Sequence, residues 1–286
     1  MLLYPNAKIN LGLNIVARRD DGYHNLETVF YPVKLTDKLE ITPNNTADSI
    51  RFNTTGGFVL DCADEDNLIV RTCRLLQKEK KAGGVDIRFE KRIPFGAGLG
   101  GGSSDAAYTA MALNSIFSLG MSKGELKALV SRLGADCAFF IENSACYAEG
   151  IGDILEPISF ALRGYTLVLV KPDIAVSTRE AYAGITPRRP LHNVKDIVIR
   201  PVEQWRGLLV NDFEESVFKA HKELALLKQT LYDMGAAYAA MSGSGATVYG
   251  LFRNNPAADT TKQISEWQTQ CTAKFGNCFT FVQSLS

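Results

Sequence analysis

Apolar and polar residues alternate from the start of the chain. In PNAKINLGLNI, Ile9, Leu11, Leu13 and Ile15 fall on one face and Lys8, Asn10 and Asn14 on the other, the period of a half-buried strand. ETVFYPVKL and DKLEIT repeat the alternation, and DSIRFNTT does so after the polar turn PNNTAD. Residues 66–81, DNLIVRTCRLLQKEKK, change period. Ile69, Cys73 and Leu76 share a helical face, the last turn is basic, and Gly83-Gly84 marks the stop. VDIRFEKR is a strand again, with Val85, Ile87 and Phe89 inward. SSDAAYTAMALNSIF has helical composition, with Ser103 and Ser104 in the N-cap region. SKGELKALVSRLGAD opens on a capping box, Ser122 to Glu125, and ends at Gly134. AFFIENSACYAEG reads as a short hairpin.

A second half begins near residue 160 with the buried strand YTLVLVKP. Residues 185–203 hold prolines 187, 190 and 201 and read as irregular connection. NDFEESVFKAHKELALLKQTLYDMG predicts one long helical stretch. AAYAAMSGSGATVYGLF predicts strand–loop–strand, ADTTKQISEWQTQCTAKFG a helix and CFTFVQSL a last strand. Strands and helices mixed in both halves predict an α+β protein of two domains, residues 1–158 and 159–286.

Composition narrows the class. The chain has 286 residues, 46% apolar and 22% charged, with 31 basic and 31 acidic side chains. Zero net charge removes the general electrostatic case for a nucleic-acid or membrane partner. No apolar run reaches the ~18 residues that a bilayer needs. The N-terminus lacks the basic region and cleavage site of a secretory signal. Six cysteines show no CxxC pair and no zinc-like spacing with the three histidines. They read as small buried hydrophobes, and the expected setting is the cytoplasm.

The candidate chemistry lies in KRIPFGAGLGGGSSDAAYTAMAL, residues 91–113, where glycines stand at 96, 98, 100, 101 and 102 between a strand and a helix. Five glycines are costly as a mere connection. At a helix N-terminus they let an anion approach backbone N–H groups, and the helix dipole favours its charge. The loop therefore predicts phosphate binding. It is no Walker A motif, because GK[ST] is missing. GxGxxG does occur at 96, 98 and 101, but the acidic residue expected ~20 positions on in a dinucleotide fold is absent. A protein-kinase reading fails for want of V-A-I-K and HRD motifs.

Two weaker signals accompany the loop. Lys8, alone, reads as a solvated lysine, and MSGSGATVYG (241–250), alone, as a tight hairpin. In this order, lysine strand, glycine loop and glycine turn resemble the galactokinase–homoserine kinase–mevalonate kinase–phosphomevalonate kinase superfamily. PNAKINLGLNI, RRDDGYHNLETVF, IPFGAGLGGGSSDAA, LGADCAFFI and MSGSGATV resemble most closely the branch that phosphorylates a cytidine-diphosphate alcohol of non-mevalonate isoprenoid synthesis. That branch usually shows valine and proline where this chain has Cys137 and Ala138, and often proline at Ala246. None of these differences removes a polar group.

The resemblance implies an ATP-dependent kinase with Mg²⁺ carried by the nucleotide. Pro94, Phe95, Gly96, Ala97, Gly98, Leu99, Gly100, Gly101, Gly102, Ser103 and Ser104 would hold the triphosphate, and Lys91 would approach the nucleotide. Which serine reaches the metal is left open. Asp105 is either a ligand contact or a partner of the helix dipole. Asp136 would be the general base for the 2-hydroxyl, oriented by Lys8. The two are far apart in sequence, so the first strand and the loop after residues 125–133 must converge. Asn10 would contact the methylerythritol hydroxyls. Tyr23 would stack on cytosine, His24 would meet its edge, and Thr178 and Tyr182 would close the other side. The expected partner is this small molecule, with the protein a monomer or weak homodimer. Rival readings are a mevalonate, homoserine or sugar kinase, a silent ligand sensor, and a nucleic-acid binder of similar fold.

Overall fold

The N-terminal alternation folds as two strands separated at Tyr4-Pro5, β1 (Leu2–Leu3) and β2 (Asn6–Arg18). The computed structural model describes residues 1–60, 62–257 and 259–285. β2 departs from the half-buried expectation. Its first ten residues are all buried, polar ones included. Buried polar groups need partners, so this strand's polar face is a place to look for a site.

Along the chain follow β3 (His24–Thr36), β4 (Lys38–Pro43), β5 (Ile50–Gly57), α1 (Leu68–Lys80), β6 (Val85–Lys91), α2 (Gly101–Ile116), α3 (Lys123–Val130) and α4 (Phe139–Glu142). Then come β7 (Cys146–Glu149), β8 (Ile154–Pro157), β9 (Tyr165–Lys171), α5 (Thr178–Ala183), α6 (Val194–Val198), α7 (Phe213–Ala220) and α8 (Lys222–Asp233). β10 (Tyr238–Met241), β11 (Val248–Arg253), α9 (Thr260–Phe275) and β12 (Phe279–Leu285) complete the order.

The chain forms two compact units, each assembled from several segments. One comprises residues 1–8, 32–95 and 100–144, the other 9–31, 96–99 and 145–286. In the first, a sheet of order β1-β4-β6-β5 supplies Leu39, Ile41, Val85, Ile87 and Phe89 to the core. β5 runs parallel to β6 and β4 antiparallel. Small side chains, Ala106, Ala107, Ala110 and Ala112, are buried along α2. In the second unit, β9 lies between β11 and β12 in an antiparallel sheet of order β10-β11-β9-β12. Its core draws on Val168, Val170, Val217, Leu224, Leu231 and Val248.

Four local readings differ from the structure. The serines do not cap α2; Gly100 does, in a left-handed conformation, and Ser103 and Ser104 lie inside the first turn. Phe139–Glu142 is a helical turn, not a hairpin strand; its three apolar residues are too few for periodicity to separate strand from helix. The long helix breaks at His221, whose φ of −124° and ψ of 81° leave the helical region. The irregular connection contains α6, capped by Asn193, whose side chain accepts from the Lys195 amide. The reading of the cysteines holds for Cys73 and Cys137. Burial is the main cause that pushes both thiols up to about 12.

Candidate active site

In the first unit, α2 opens where the glycine loop requires it to. Gly100 has φ +69°, and a Cβ there would lie 3.1 Å from both Cγ and Cε of Lys8 and 3.0 Å from Phe140. Glycine thus allows the Lys8 side chain to lie against the start of the helix. Lys8 Nζ is 3.2 Å from Asp136 Oδ2. The lysine is almost fully buried, with 4% of its side chain exposed, while Asp136 keeps 31%. Asp136 sits in the short 3₁₀ turn Ala135–Ala138, after Gly134. The lysine and the aspartate therefore meet across 128 positions of sequence, with the carboxylate partly exposed.

Lys91 is buried in an ion cluster. Its ammonium contacts Asp37 and lies 3.2 Å from Asp105 Oδ2. Asp37 Oδ1 accepts from the amides of Arg92 (2.6 Å) and Ile93 (2.8 Å). Asp37 thereby fixes the backbone entering the loop, and Asp105 lies just past the first turn of the helix leaving it. Burial is the largest influence on the Asp105 carboxyl and pushes it up to about 8, against Lys91 and with Asp37. Burial alone would lower the Lys91 ammonium, yet Asp105 and Asp37 raise it. Two carboxyls and one ammonium leave one negative charge in excess, and a proton on Asp105 relieves it.

Ser104 Oγ and Asp105 Oδ1 are buried with no hydrogen-bond partner. Two unpaired oxygens near the start of α2 suit a site that receives its partners from a ligand. Among the described residues, no group of three or more His, Cys, Asp or Glu side chains gathers to hold a metal. A magnesium ion that arrives on nucleotide phosphates needs only one or two protein oxygens. Ser103, Ser104 and Asp105 are the candidates here.

In the second unit, residues 96–99 of the loop are bound to the C-terminal glycine turn. Ser242 Oγ donates to the Gly98 carbonyl at 2.8 Å, Ala246 N to Gly96 at 3.2 Å and Thr247 N to Ala97 at 3.3 Å. A Cβ at Gly98 would fall 1.9 Å from the Ser242 carbonyl oxygen, so only glycine fits. Asn211 Nδ2 donates to the carbonyls of Met241 (2.8 Å) and Gly243 (2.9 Å), bracing the turn from below. Asn10 is buried on β2, where its amide donates to Ser242 Oγ at 3.3 Å and its carbonyl accepts from Tyr249 at 2.9 Å.

The aromatic pair also lies in this unit. His24 and Tyr182 stack at 4.8 Å and 25°, and Phe213 meets Tyr182 edge-on at 4.8 Å. The two segments expected to close on a base are thus adjacent. Tyr23, by contrast, is 62% exposed, and Thr178 is an exposed residue at the start of α5. Burial, and then Arg18, lower the His24 imidazole below its usual value.

Asp37, Thr28 and Asn211 were not singled out by the pattern. Asp37 follows a strand and Asn211 precedes a helix, positions where such residues are common. Full burial of Asp37, at 0% exposure, marks it in three dimensions only.

A lysine–aspartate pair, a glycine-capped helix start and a bonded C-terminal glycine turn define a small-molecule phosphotransferase. The family models for the N-terminal and C-terminal domains of GHMP kinases match residues 67–144 and 199–266. The 4-diphosphocytidyl-2-C-methyl-D-erythritol kinase of Bacteroides thetaiotaomicron is 51% identical over 94% of this chain and 97% of its own. That of Bacteroides fragilis is 50% identical over 93% and 96%. The crystal structure of a 4-(cytidine 5'-diphospho)-2C-methyl-D-erythritol kinase superposes with a TM-score of 0.80 at 31% identity, covering 99% of this chain and 98% of that one. The chain belongs to the 4-diphosphocytidyl-2-C-methyl-D-erythritol kinase family, kinases of non-mevalonate isoprenoid precursor synthesis. No helix among the described residues is long and apolar enough to cross a membrane.

Proposed function

We propose that the protein transfers the γ-phosphoryl group of ATP to the 2-hydroxyl of 4-diphosphocytidyl-2-C-methyl-D-erythritol, in the cytoplasm. The observation that carries the proposal is the 3.2 Å pair of Lys8 and Asp136. Asp136 accepts the proton of the attacking hydroxyl. Lys8 orients that carboxylate and shares the negative charge that develops on the transferred group. The amides from Pro94 to Ser104 hold phosphate oxygens, and the unpaired oxygens of Ser104 and Asp105 complete contacts to the nucleotide or its Mg²⁺. Bound magnesium would neutralise phosphate charge. Lys91 acts on the nucleotide indirectly, by holding Asp37 and Asp105 across the loop's two ends. Asn10 contacts the alcohol, and His24 and Tyr182, with Tyr23 and Thr178 nearby in sequence, receive cytosine.

The test is ATP consumption with a panel of alcohols: the cytidine compound, base-free methylerythritol phosphate, mevalonate and homoserine. Turnover with the cytidine compound alone, phosphorylated at the 2-position, is expected. Turnover with mevalonate or homoserine at equal efficiency would overturn the substrate assignment.

A further inference from the structure

We infer that Thr28 is a positioning residue for the alcohol substrate: it decides which end of the Asn10 carboxamide faces the ligand. The inference rests on the reading that Asn10 contacts the methylerythritol hydroxyls. Thr28 is fully buried on β3 and Asn10 is 3% exposed on β2. Asn10 Nδ2 donates to Thr28 Oγ1 at 3.0 Å, and the Thr28 hydroxyl donates to the Gly12 carbonyl at 2.5 Å. A hydroxyl carries one proton. With that proton committed to Gly12, Oγ1 can only accept from Asn10.

The consequence is directional. The two ends of a carboxamide have nearly the same shape, and its neighbours settle which way it points. Thr28 takes the donor end, so Oδ1 turns to the opposite side, toward Gly243. The main chain leaves little other freedom. The Asn10 amide is held by Ser242 and its carbonyl by Tyr249. The accepting carbonyl belongs to a position that requires glycine, because Gly12 has φ +66° and a Cβ there would strike Leu209 at 2.6 Å. A half-turn of the amide would set Oδ1 against Thr28 Oγ1, whose one proton is already given to Gly12. On the reading that Asn10 contacts the alcohol, Oδ1 accepts from a substrate O–H, whereas a flipped amide would offer a donor to a donor.

The experiment compares full-length Thr28→Val, Thr28→Ser and Asn10→Ala enzymes and the Thr28→Val/Asn10→Ala double variant. Rates are measured against ATP and against the cytidine alcohol separately. Thr28→Val keeps the shape and removes the hydroxyl. It is expected to lower kcat/KM for the alcohol roughly five- to a hundredfold, the range for a buried polar group left unpaired. KM for ATP should change by less than about twofold, and Thr28→Ser should restore most of the loss. On the Asn10→Ala background, Thr28→Val should add less than about twofold. An equal rise in KM for ATP, or no rescue by serine, would show that Thr28 only packs. If Asn10→Ala is damaged and Thr28→Val still costs its full factor there, the role of Thr28 falls alone. If Asn10→Ala has normal alcohol kinetics, the reading of Asn10 falls and takes Thr28 with it. Should the valine variant not fold, Thr28→Ala serves the same comparisons.

Discussion

Lys8 Nζ lies 3.2 Å from Asp136 Oδ2, with the lysine buried and the aspartate partly open. The ammonium is thus paired with a carboxylate that keeps 31% of its side chain exposed. The arrangement fits a base that must be held in one orientation while remaining reachable.

Asp136→Asn is expected to lower kcat by roughly 10² to 10⁴, the range for a lost general base, with ATP binding nearly unchanged by calorimetry. Lys8→Met should have a comparable effect. The double variant should be far less than additive, because the pair acts as one unit. An Asp136→Asn enzyme with near-normal kcat would end the base assignment.

Gly100→Ala tests how tightly the helix start is fitted to Lys8. The new Cβ would press on Cγ and Cε of Lys8 at 3.1 Å, and alanine at φ +69° is strained besides. Lys8 would have to shift, and a small misplacement of a catalytic group is costly. We expect kcat to fall at least ~10-fold and the melting temperature to drop. On a Lys8→Met background the kinetic penalty should largely vanish. A full penalty there would mean that Gly100 acts on phosphate approach alone.

These two relationships also show what the chain discloses unaided. Alternation in VDIRFEKR placed Val85, Ile87 and Phe89 in the core correctly, because burial on one face writes itself into a period of two. The capping box at Ser122 and Glu125 formed as spacing requires, since it is closed within four residues. The glycine loop was legible because so many glycines rarely serve packing. The burial of β2's polar face was not legible. Lys8, Asn10 and Asn14 are satisfied by residues more than 100 positions away or by neighbours on other strands, and a local period carries no trace of them. Asp37 was missed for the same reason. Its partners Lys91 and the amides of Arg92 and Ile93 lie 54 to 56 positions on.

The ion cluster predicts a specific dependence of stability on pH. The Asp105 carboxyl moves from the ordinary 3.8 to about 8 in the folded protein, chiefly through burial. Between these values the folded state binds the proton more tightly than the unfolded chain does. The contribution of Asp105 is therefore full below about pH 4 and is lost as pH rises through about 8. Asp105→Asn removes this titration while keeping an acceptor for Lys91. Relative to wild type, the variant should gain melting temperature between pH 5 and pH 9. Parallel curves for the two proteins across that range would exclude a protonated Asp105.

The last prediction concerns choice of substrate, where His24 and Tyr182 carry the argument. Their rings already stack at 4.8 Å, with Phe213 edge-on behind Tyr182, so the aromatic surface is ordered before any base arrives. Stacking on such a surface is worth about 1–3 kcal/mol per base. At 1.4 kcal/mol per factor of ten, Tyr182→Ala should raise KM for the cytidine alcohol roughly five- to a hundredfold. Its kcat should change less, because base recognition is not part of the phosphoryl step. Tyr23→Ala should have a smaller effect than Tyr182→Ala, since Tyr23 is 62% exposed and ordering an exposed side chain on binding costs conformational entropy. His24→Ala should also blunt discrimination between cytidine and uridine compounds, because a buried base edge left unpaired costs selectivity. Base-free methylerythritol phosphate should be a poor substrate, and its rate should not respond to Tyr182→Ala. If it is phosphorylated as well as the cytidine compound, the aromatic pair has no part in recognition, and the alcohol alone sets specificity.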